Sequence, residues 1–105
     1  MAVFIPTENP DGRPTLALSG EVDIAAVDEL IEAARACLDR AVDGIDIDLG
    51  GVTFIDSSGL GALVRIRNVA AERGLGIELV HVPRSVQRLF DLTGLEAVFS
   101  ANAED

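Results

Sequence analysis

The chain has 105 residues, which is enough for one compact domain and hardly enough for two. Apolar residues make up 49% of the sequence, a proportion that argues against an intrinsically disordered protein. Eighteen Asp and Glu residues against eight Arg residues give a formal net charge of −10 at pH 7, so a nucleic-acid backbone or an anionic membrane surface would repel the chain.

Several side chains that enzymes and metal sites use are scarce. The sequence contains no Lys, which removes the P-loop lysine and lysine-based covalent catalysis. Cys37 and His81 are the single residues of their types, so neither an intramolecular disulfide nor a zinc site is expected. We therefore predict a protein that carries no cofactor and no metal and works in a reducing compartment.

The sequence shows no sign of export or membrane insertion. Its first ten residues lack the basic region of a signal peptide, and no stretch approaches the roughly 20 apolar residues that a membrane span requires. We therefore expect a cytoplasmic protein that does not bind membranes.

The first part of the chain predicts a β-hairpin followed by a helix. Residues 2–5 and 15–18 are strand-like, and a polar turn that contains Pro and Gly separates them. From Ile24 to Leu38, apolar residues recur every three or four positions, as they do on one face of an amphipathic helix. Asp23 precedes this pattern and is the predicted N-cap.

The rest of the chain alternates strands with helices. Residues 45–49 alternate apolar and acidic side chains, and the strand that they predict continues to residue 56. A second helix follows and is expected to end near Gly74. The remaining predicted elements are a strand over residues 77–82, a short helix with Val86, Leu89 and Phe90 on one side and an end at Gly94, a last strand over residues 95–99, and a frayed tail over residues 100–105.

This order of elements predicts an α/β fold. Strands that are joined through helices run parallel within one sheet, whereas the initial hairpin adds an antiparallel edge. We expect a single domain over residues 1–105, with a mixed, mostly parallel sheet and helices packed against it.

The chemically unusual segment is residues 54–61, FIDSSGLG, in which an apolar strand runs directly into two serines at the start of a helix. Ligands usually bind at this end of a parallel sheet. A helix N-terminus also offers free backbone amides and a positive dipole, so a phosphate on a serine would be stabilised there. Gly59 and Gly61 leave the flank of Ser57 open to the active site of a partner.

Two other interpretations of this segment stay open. Asp56, Ser57 and Ser58 are residue types that commonly do no more than cap a helix. A serine hydrolase is disfavoured, because Ile55 and Asp56 stand where the G-x-S-x-G motif needs its first glycine. His81 is predicted to be a structural residue inside the strand over residues 77–82.

The remaining reactive or charged residues are predicted to be structural or solvated. Cys37, near the end of the first helix, is expected to be a partly buried, unreactive thiol. The charged side chains expected to be solvated surface, rather than partner contacts, are Arg65, Arg67, Arg73, Asp39, Asp43, Asp46 and Asp48.

Three stretches together resemble the STAS-domain family of bacterial anti-sigma-factor antagonists. They are GEVD at residues 20–23, FIDSSGLG at residues 54–61 and SVQRLFDLTGL at residues 85–95. Their order and spacing match the family and extend over nearly the whole chain.

The resemblance implies a regulatory protein of the stress or developmental response, not an enzyme. In that family the unphosphorylated antagonist binds an anti-sigma factor that is also a serine kinase, and a sigma factor is thereby released to act in transcription. The kinase phosphorylates the first serine of the motif, here Ser57, and a metal-dependent serine phosphatase reverses the modification. The implied partner-binding residues are Asp23, Asp56, Ser57, Ser58, Gly59 and Leu60.

A second function from another class is a STAS module without a phosphorylation switch. Such a module binds a nucleotide or lipid, or serves as an adaptor in a transporter complex. The intact D-S-S-G sequence favours the antagonist, because an adaptor does not need a phosphorylatable serine at that place.

Overall fold

The computed structural model of the chain describes residues 1–94. Over these residues the predicted hairpin, helices and strands occur in the predicted order. The elements are β1 (Val3–Glu8), β2 (Pro14–Val22), a 3₁₀ turn (Ile24–Ala26), α1 (Val27–Asp39), β3 (Gly44–Ile55), α2 (Ser57–Glu72), β4 (Gly76–Val80) and α3 (Arg84–Thr93). The predicted strand over residues 95–99 and the predicted tail lie outside the described residues, and a single domain over residues 1–105 stays a prediction.

The four described strands form one mixed sheet in the order β1-β2-β3-β4. Strand β1 runs antiparallel to β2, whereas β2, β3 and β4 run parallel, which confirms the predicted fold class. In the register of β2 and β3, Glu21 lies beside Phe54 and Val22 lies beside Ile55. The carboxyl ends of the two strands therefore meet at one edge of the sheet, and the segments that follow them are neighbours.

Helices α1 and α2 pack against each other and against the sheet. The alternating pattern of β3 buries Ile45, Ile47 and Leu49 completely, and Leu63 of α2 is equally buried. Because side chains alternate between the two faces of a strand, the acidic residues between the β3 isoleucines and leucine are on the other face. The aliphatic composition thus produces the predicted layer of helices on a sheet.

Two helix ends are located as the sequence predicted. Helix α2 ends at Glu72, and Gly74 follows with φ 73°. Helix α3 is capped by Gly94 with φ 78°, a left-handed conformation that glycine adopts without the steric cost of a Cβ atom. No helix in the described part of the chain is long and apolar enough to cross a membrane.

The predicted location of His81 inside a strand was wrong. Strand β4 ends at Val80, and His81 has φ 55° and a side chain that is 74% exposed. Its Nδ1 lies 3.2 Å from Oδ1 of Asp48 on the adjacent strand. The chain turns away from the sheet at this residue, so the histidine lies on the surface and is not part of the core.

Three further predictions need correction. Cys37 is completely buried, not partly buried. Asp46 is largely buried and accepts a hydrogen bond of 2.7 Å from Nε of Arg13. Asp48, also predicted to be solvated, accepts a hydrogen bond of 2.8 Å from the backbone nitrogen of Gly50 in addition to its contact with His81. The partners of these two acidic residues include Arg13 in the loop before β2 and His81 after β4, and alternation of charge along the sequence does not reveal such contacts.

Candidate functional site

The site predicted from the sequence lies at the carboxyl edge of β2 and β3. Strand β3 ends at Ile55, Asp56 is in an extended conformation, and α2 begins at Ser57. The backbone nitrogen of Asp56 donates a hydrogen bond of 3.3 Å to the carbonyl of Val22. This bond holds the turn into α2 beside the end of β2.

Asp56 is the N-cap of α2. Its Oδ1 accepts a hydrogen bond of 3.1 Å from the backbone nitrogen of Gly59, and its carbonyl accepts one of 3.0 Å from Leu60. Within residues 1–94, neither Ser57 nor Ser58 forms a hydrogen bond through its hydroxyl. Ser57 is exposed and Ser58 is half-buried. Capping therefore occupies the aspartate and leaves the hydroxyl of Ser57 available.

Replacement of this cap should destabilise the fold modestly. We expect Asp56→Ala to lower the free energy of unfolding by about 1 kcal/mol, because the amide of Gly59 loses its acceptor. Asp56→Asn should retain most of the stability, since an amide oxygen accepts the same bond. Urea denaturation measures both effects, with Ser57→Ala as the control that should leave the midpoint unchanged. If Asp56→Ala and Ser57→Ala lose the same amount of stability, the assignment of Asp56 as the cap is contradicted.

Asp23 holds the neighbouring loop. Its Oδ1 accepts a hydrogen bond of 3.1 Å from the backbone nitrogen of Ala25, so it caps the 3₁₀ turn Ile24–Ala26. The capping role was predicted correctly, but the regular helix α1 begins only at Val27. The 3₁₀ turn contacts α2, which places Asp23 and Ser57 on adjacent segments at the same edge of the sheet.

Two of the predicted partner-binding residues are buried. Leu60 is only 3% exposed, and Gly59 is also buried. A Cβ atom on Gly59 would lie 2.6 Å from both the carbonyl oxygen of Val22 and Cγ1 of Ile55. Because Gly59 and Leu60 are buried, they are not placed to contact a partner directly. Their structural role is to seat the start of α2 against β2 and β3.

Two exposed apolar residues of this region were missed by sequence reasoning. Ile24 was assigned to the buried stripe of the first helix, but it is 75% exposed. Phe54 is 52% exposed, although it lies in an apolar stretch. Alternation along the strand gave no signal for Phe54, because the register of β2 and β3 shifts between Val52 and Phe54, and Thr53 and Phe54 are both exposed.

The charges around Ser57 are mostly negative. Glu21, Asp23 and Asp56 belong to the adjoining strand ends and loops, and the first turn of α1 adds Asp28 and Glu29. The amino group of Met1 lies 2.9 Å from Oε1 of Glu21. At the opposite ends of the helices, Arg40 and Arg73 are the C-caps of α1 and α2.

The positive end of the α2 dipole faces this negative environment at Ser57. Phosphorylation would therefore place a dianion on a helix N-terminus that favours it and among carboxylates that repel it. No group of three His, Cys, Asp or Glu side chains that could hold a metal ion occurs among residues 1–94. The arrangement is suited to modification and binding by another protein.

Comparison with known proteins gives consistent results. A family model described as "Mlab, STAS domain" matches residues 5–100. The anti-sigma-B factor antagonist of Staphylococcus epidermidis is 28% identical over 102 residues, which cover 97% of this chain and 94% of that protein.

Solved structures of anti-sigma factor antagonists are similar in fold. The crystal structure of an anti-sigma factor antagonist from Mycobacterium paratuberculosis has a TM-score of 0.77 and 27% identity, and the match covers 94% of this chain and 83% of that one. The phosphorylated form of the Bacillus cell fate determinant SpoIIAA has a TM-score of 0.68 and 21% identity, over 90% of this chain and 86% of that one.

Proposed function

The chain belongs to the STAS domain family, and we propose on this premise that it is an anti-sigma factor antagonist that is switched off by phosphorylation of Ser57. In the unphosphorylated state it binds an anti-sigma factor that is also a serine kinase, and the sigma factor is released. A metal-dependent serine phosphatase restores the binding state. The chain acts by binding and is a regulatory protein, not an enzyme, as the names of its relatives describe.

The observation that carries this proposal is the availability of Ser57. Ser57 is exposed at the first position of α2, and Asp56 supplies the cap that a serine would otherwise provide. A hydroxyl that is not needed for the fold can enter the active site of a kinase and accept a phosphoryl group. The kinase would supply ATP, magnesium and the catalytic groups, so this chain needs no catalytic residue of its own.

The same position explains why phosphorylation would change binding and leave the fold intact. A phosphate adds about −1.5 to −2 charges, and its oxygens can accept bonds from the free amides of the first turn of α2. Within an interface, the added charge would meet Asp23, Asp56 and the nucleotide phosphates of the kinase. Like-charge repulsion and desolvation then weaken the complex, while the buried core remains unchanged.

The proposal is supported by two kinds of relatives. The Staphylococcus epidermidis protein is named for its antagonism of an anti-sigma-B factor. SpoIIAA, which shares the fold, is known in both an unphosphorylated and a phosphorylated form. The residues that carry the switch here are Ser57 as acceptor, with Asp23, Asp56 and Ser58 around it.

A phosphorylation assay tests the proposal. The anti-sigma factor kinases of the same genome are purified, and each is incubated with this chain, ATP and magnesium. We expect intact-mass spectrometry to show the addition of one phosphate with the cognate kinase, and peptide mapping to place it on Ser57.

Matched serine variants are the controls for this assay. Ser57→Ala should remain unmodified, whereas Ser58→Ala should be modified as fully as the wild type. If Ser57→Ala is phosphorylated and Ser58→Ala is not, the acceptor is Ser58 and not Ser57. Absence of both binding and phosphorylation with every kinase would favour a STAS adaptor or ligand-binding module.

A further inference from the structure

We infer that the anti-sigma factor binds two apolar side chains of this chain that lie next to Ser57. We infer further that the binding surface of the anti-sigma factor is an apolar pocket bordered by Arg or Lys. We define the docking surface as Ile24, Phe54 and Gly61 together with the carboxylates of Glu21 and Asp23. The inference rests on the proposed function, because it identifies what the same partner contacts beyond the serine.

The backbone brings the docking surface together at one pair of residues. Val22 and Ile55 lie side by side at the ends of β2 and β3. Phe54 precedes Ile55 directly, Ser57 follows it by two residues, and Ile24 follows Val22 by two residues. Since consecutive Cα atoms are 3.8 Å apart, both side chains start within about 8 Å of this pair, as does Ser57. A partner that covers this end of β2 and β3 as well as Ser57 therefore contacts both apolar residues.

The exposure of these two residues is not explained by the fold. Ile24 is 75% exposed and Phe54 is 52% exposed, whereas their neighbours Val22 and Ile55 are buried. Large apolar side chains in a cluster on the surface mark sites of association more often than isolated ones do. Aromatic and aliphatic anchors of this kind commonly account for most of the binding energy of an interface.

Gly61 is a third feature that the fold does not require. It lies within α2 and is exposed, and a Cβ atom there would have no neighbour within 4 Å. Glycine lowers the stability of a helix relative to alanine. Gly61 therefore destabilises α2, and packing gives no reason for a glycine at this position. Gly61 is four residues after Ser57 and thus on the same face of the helix. The missing side chain leaves room for a partner beside the serine.

The charge of the docking surface identifies the chemistry of its partner. A groove of about 510 Å³ adjoins it, and the residues that line the groove include the acidic Glu21, Asp23 and Glu29 as well as the apolar Phe4 and Ala26. A complementary surface has an apolar centre and positive side chains around it. A second copy of this chain would bring the same carboxylates into contact, and an anionic lipid surface would be repelled, so neither fits this edge.

Alanine variants test the two anchors directly. The affinity of unphosphorylated chain for the cognate kinase, identified by the phosphorylation assay, is measured by calorimetry for the wild type, Ile24→Ala and Phe54→Ala. Each variant should weaken binding about tenfold or more. Val42→Ala and Ile5→Ala are the controls, because they shorten side chains that are 87% and 52% exposed and lie elsewhere on the chain. Both controls should bind within twofold of the wild type.

The outcome separates this inference from the proposed function. If Ser57 is phosphorylated and the wild type binds, but Ile24→Ala and Phe54→Ala bind like the controls, the docking surface is refuted and the antagonist function stands. If the wild type binds no kinase, both fail. Urea midpoints that match the wild type in all four variants show that a loss of affinity reflects the interface and not the fold.

The salt dependence of association tests the charge of the partner. With a positive partner surface, the association rate should fall at least threefold between 50 mM and 500 mM NaCl, because salt screens attraction between opposite charges. A second variant, Glu21→Gln with Asp23→Asn, should reduce this dependence. A rate that does not change with salt would overturn the assignment of a basic partner surface.

Discussion

Phosphorylation of Ser57 is expected to weaken the complex with the anti-sigma factor by far more than tenfold. Even Ser57→Asp, which adds one negative charge, should weaken binding by at least about 1.4 kcal/mol, equivalent to tenfold in the dissociation constant. A phosphoserine carries nearly twice that charge and is larger, so its effect should exceed that of the aspartate. The carboxylates of Asp23 and Asp56, on adjacent segments, increase the repulsion within the interface.

Calorimetric titration of the unphosphorylated wild type, Ser57→Asp and Ser57→Ala against the kinase measures the effect of the added charge. Ser57→Ala should bind as tightly as unphosphorylated wild type. The substitution removes only a hydroxyl, and that hydroxyl has no hydrogen-bond partner within the described residues. The stability of the isolated chain should be nearly the same in all three forms, since Ser57 is exposed at the helix start. Equal affinities of the three forms would leave Ser57 with no role in switching.

Much of the fold could be predicted because burial imposes a period on the sequence. The alternation of residues 45–49 predicts a strand, and its apolar members Ile45, Ile47 and Leu49 are all in the core. The apolar positions of the first helix follow the same rule from Leu30 onward. Such patterns are recognisable in the sequence because each element packs one face against its neighbours, so its apolar residues recur with the period of the element.

The errors occurred where the chain departs from a regular period. Ile24 fits the helical spacing, but it lies in a 3₁₀ turn with about three residues per turn, which rotates it away from the buried stripe of α1. His81 continues the apolar alternation of β4, yet the strand stops at Val80 and the backbone turns with a positive φ. Neither departure has a signature in the local pattern.

Within the predicted site, the sequence alone could not show which residue has which role. Asp56, Ser57 and Ser58 are all good N-cap residues, and only the bond from Gly59 to Asp56 shows which of them serves as the cap. Leu60 was included because it adjoins the motif. Helical spacing instead places Leu60 with Leu63, three residues later, in the core.

The two glycines of α2 should respond in opposite ways to the same substitution. Gly59→Ala is expected to lower the free energy of unfolding by about 1–3 kcal/mol, although alanine is the better helix former. The added Cβ would lie 2.6 Å from the backbone carbonyl oxygen of Val22, and a backbone atom at the end of β2 cannot move without disturbing the sheet. Gly61→Ala should raise stability by about 0.5–1 kcal/mol, because nothing lies within 4 Å of its Cβ.

This pair also connects the fold to the proposed switch. Because Gly59 seats α2 against β2 and β3, Gly59→Ala should displace the start of the helix that holds Ser57 and slow phosphorylation by the cognate kinase, even under conditions in which the variant is fully folded. Gly61→Ala supplies the control for stability, since it changes the same helix without a clash. Val42→Ala, which lies outside α2 and outside the docking surface, supplies the control for the rate of phosphorylation. Urea denaturation is measured on the two glycine variants, and the initial rate of phosphorylation is measured on Gly59→Ala and Val42→Ala. If Gly59→Ala is as stable as Gly61→Ala, close packing does not fix the start of α2, and the position of Ser57 must depend on the capping bond of Asp56 alone.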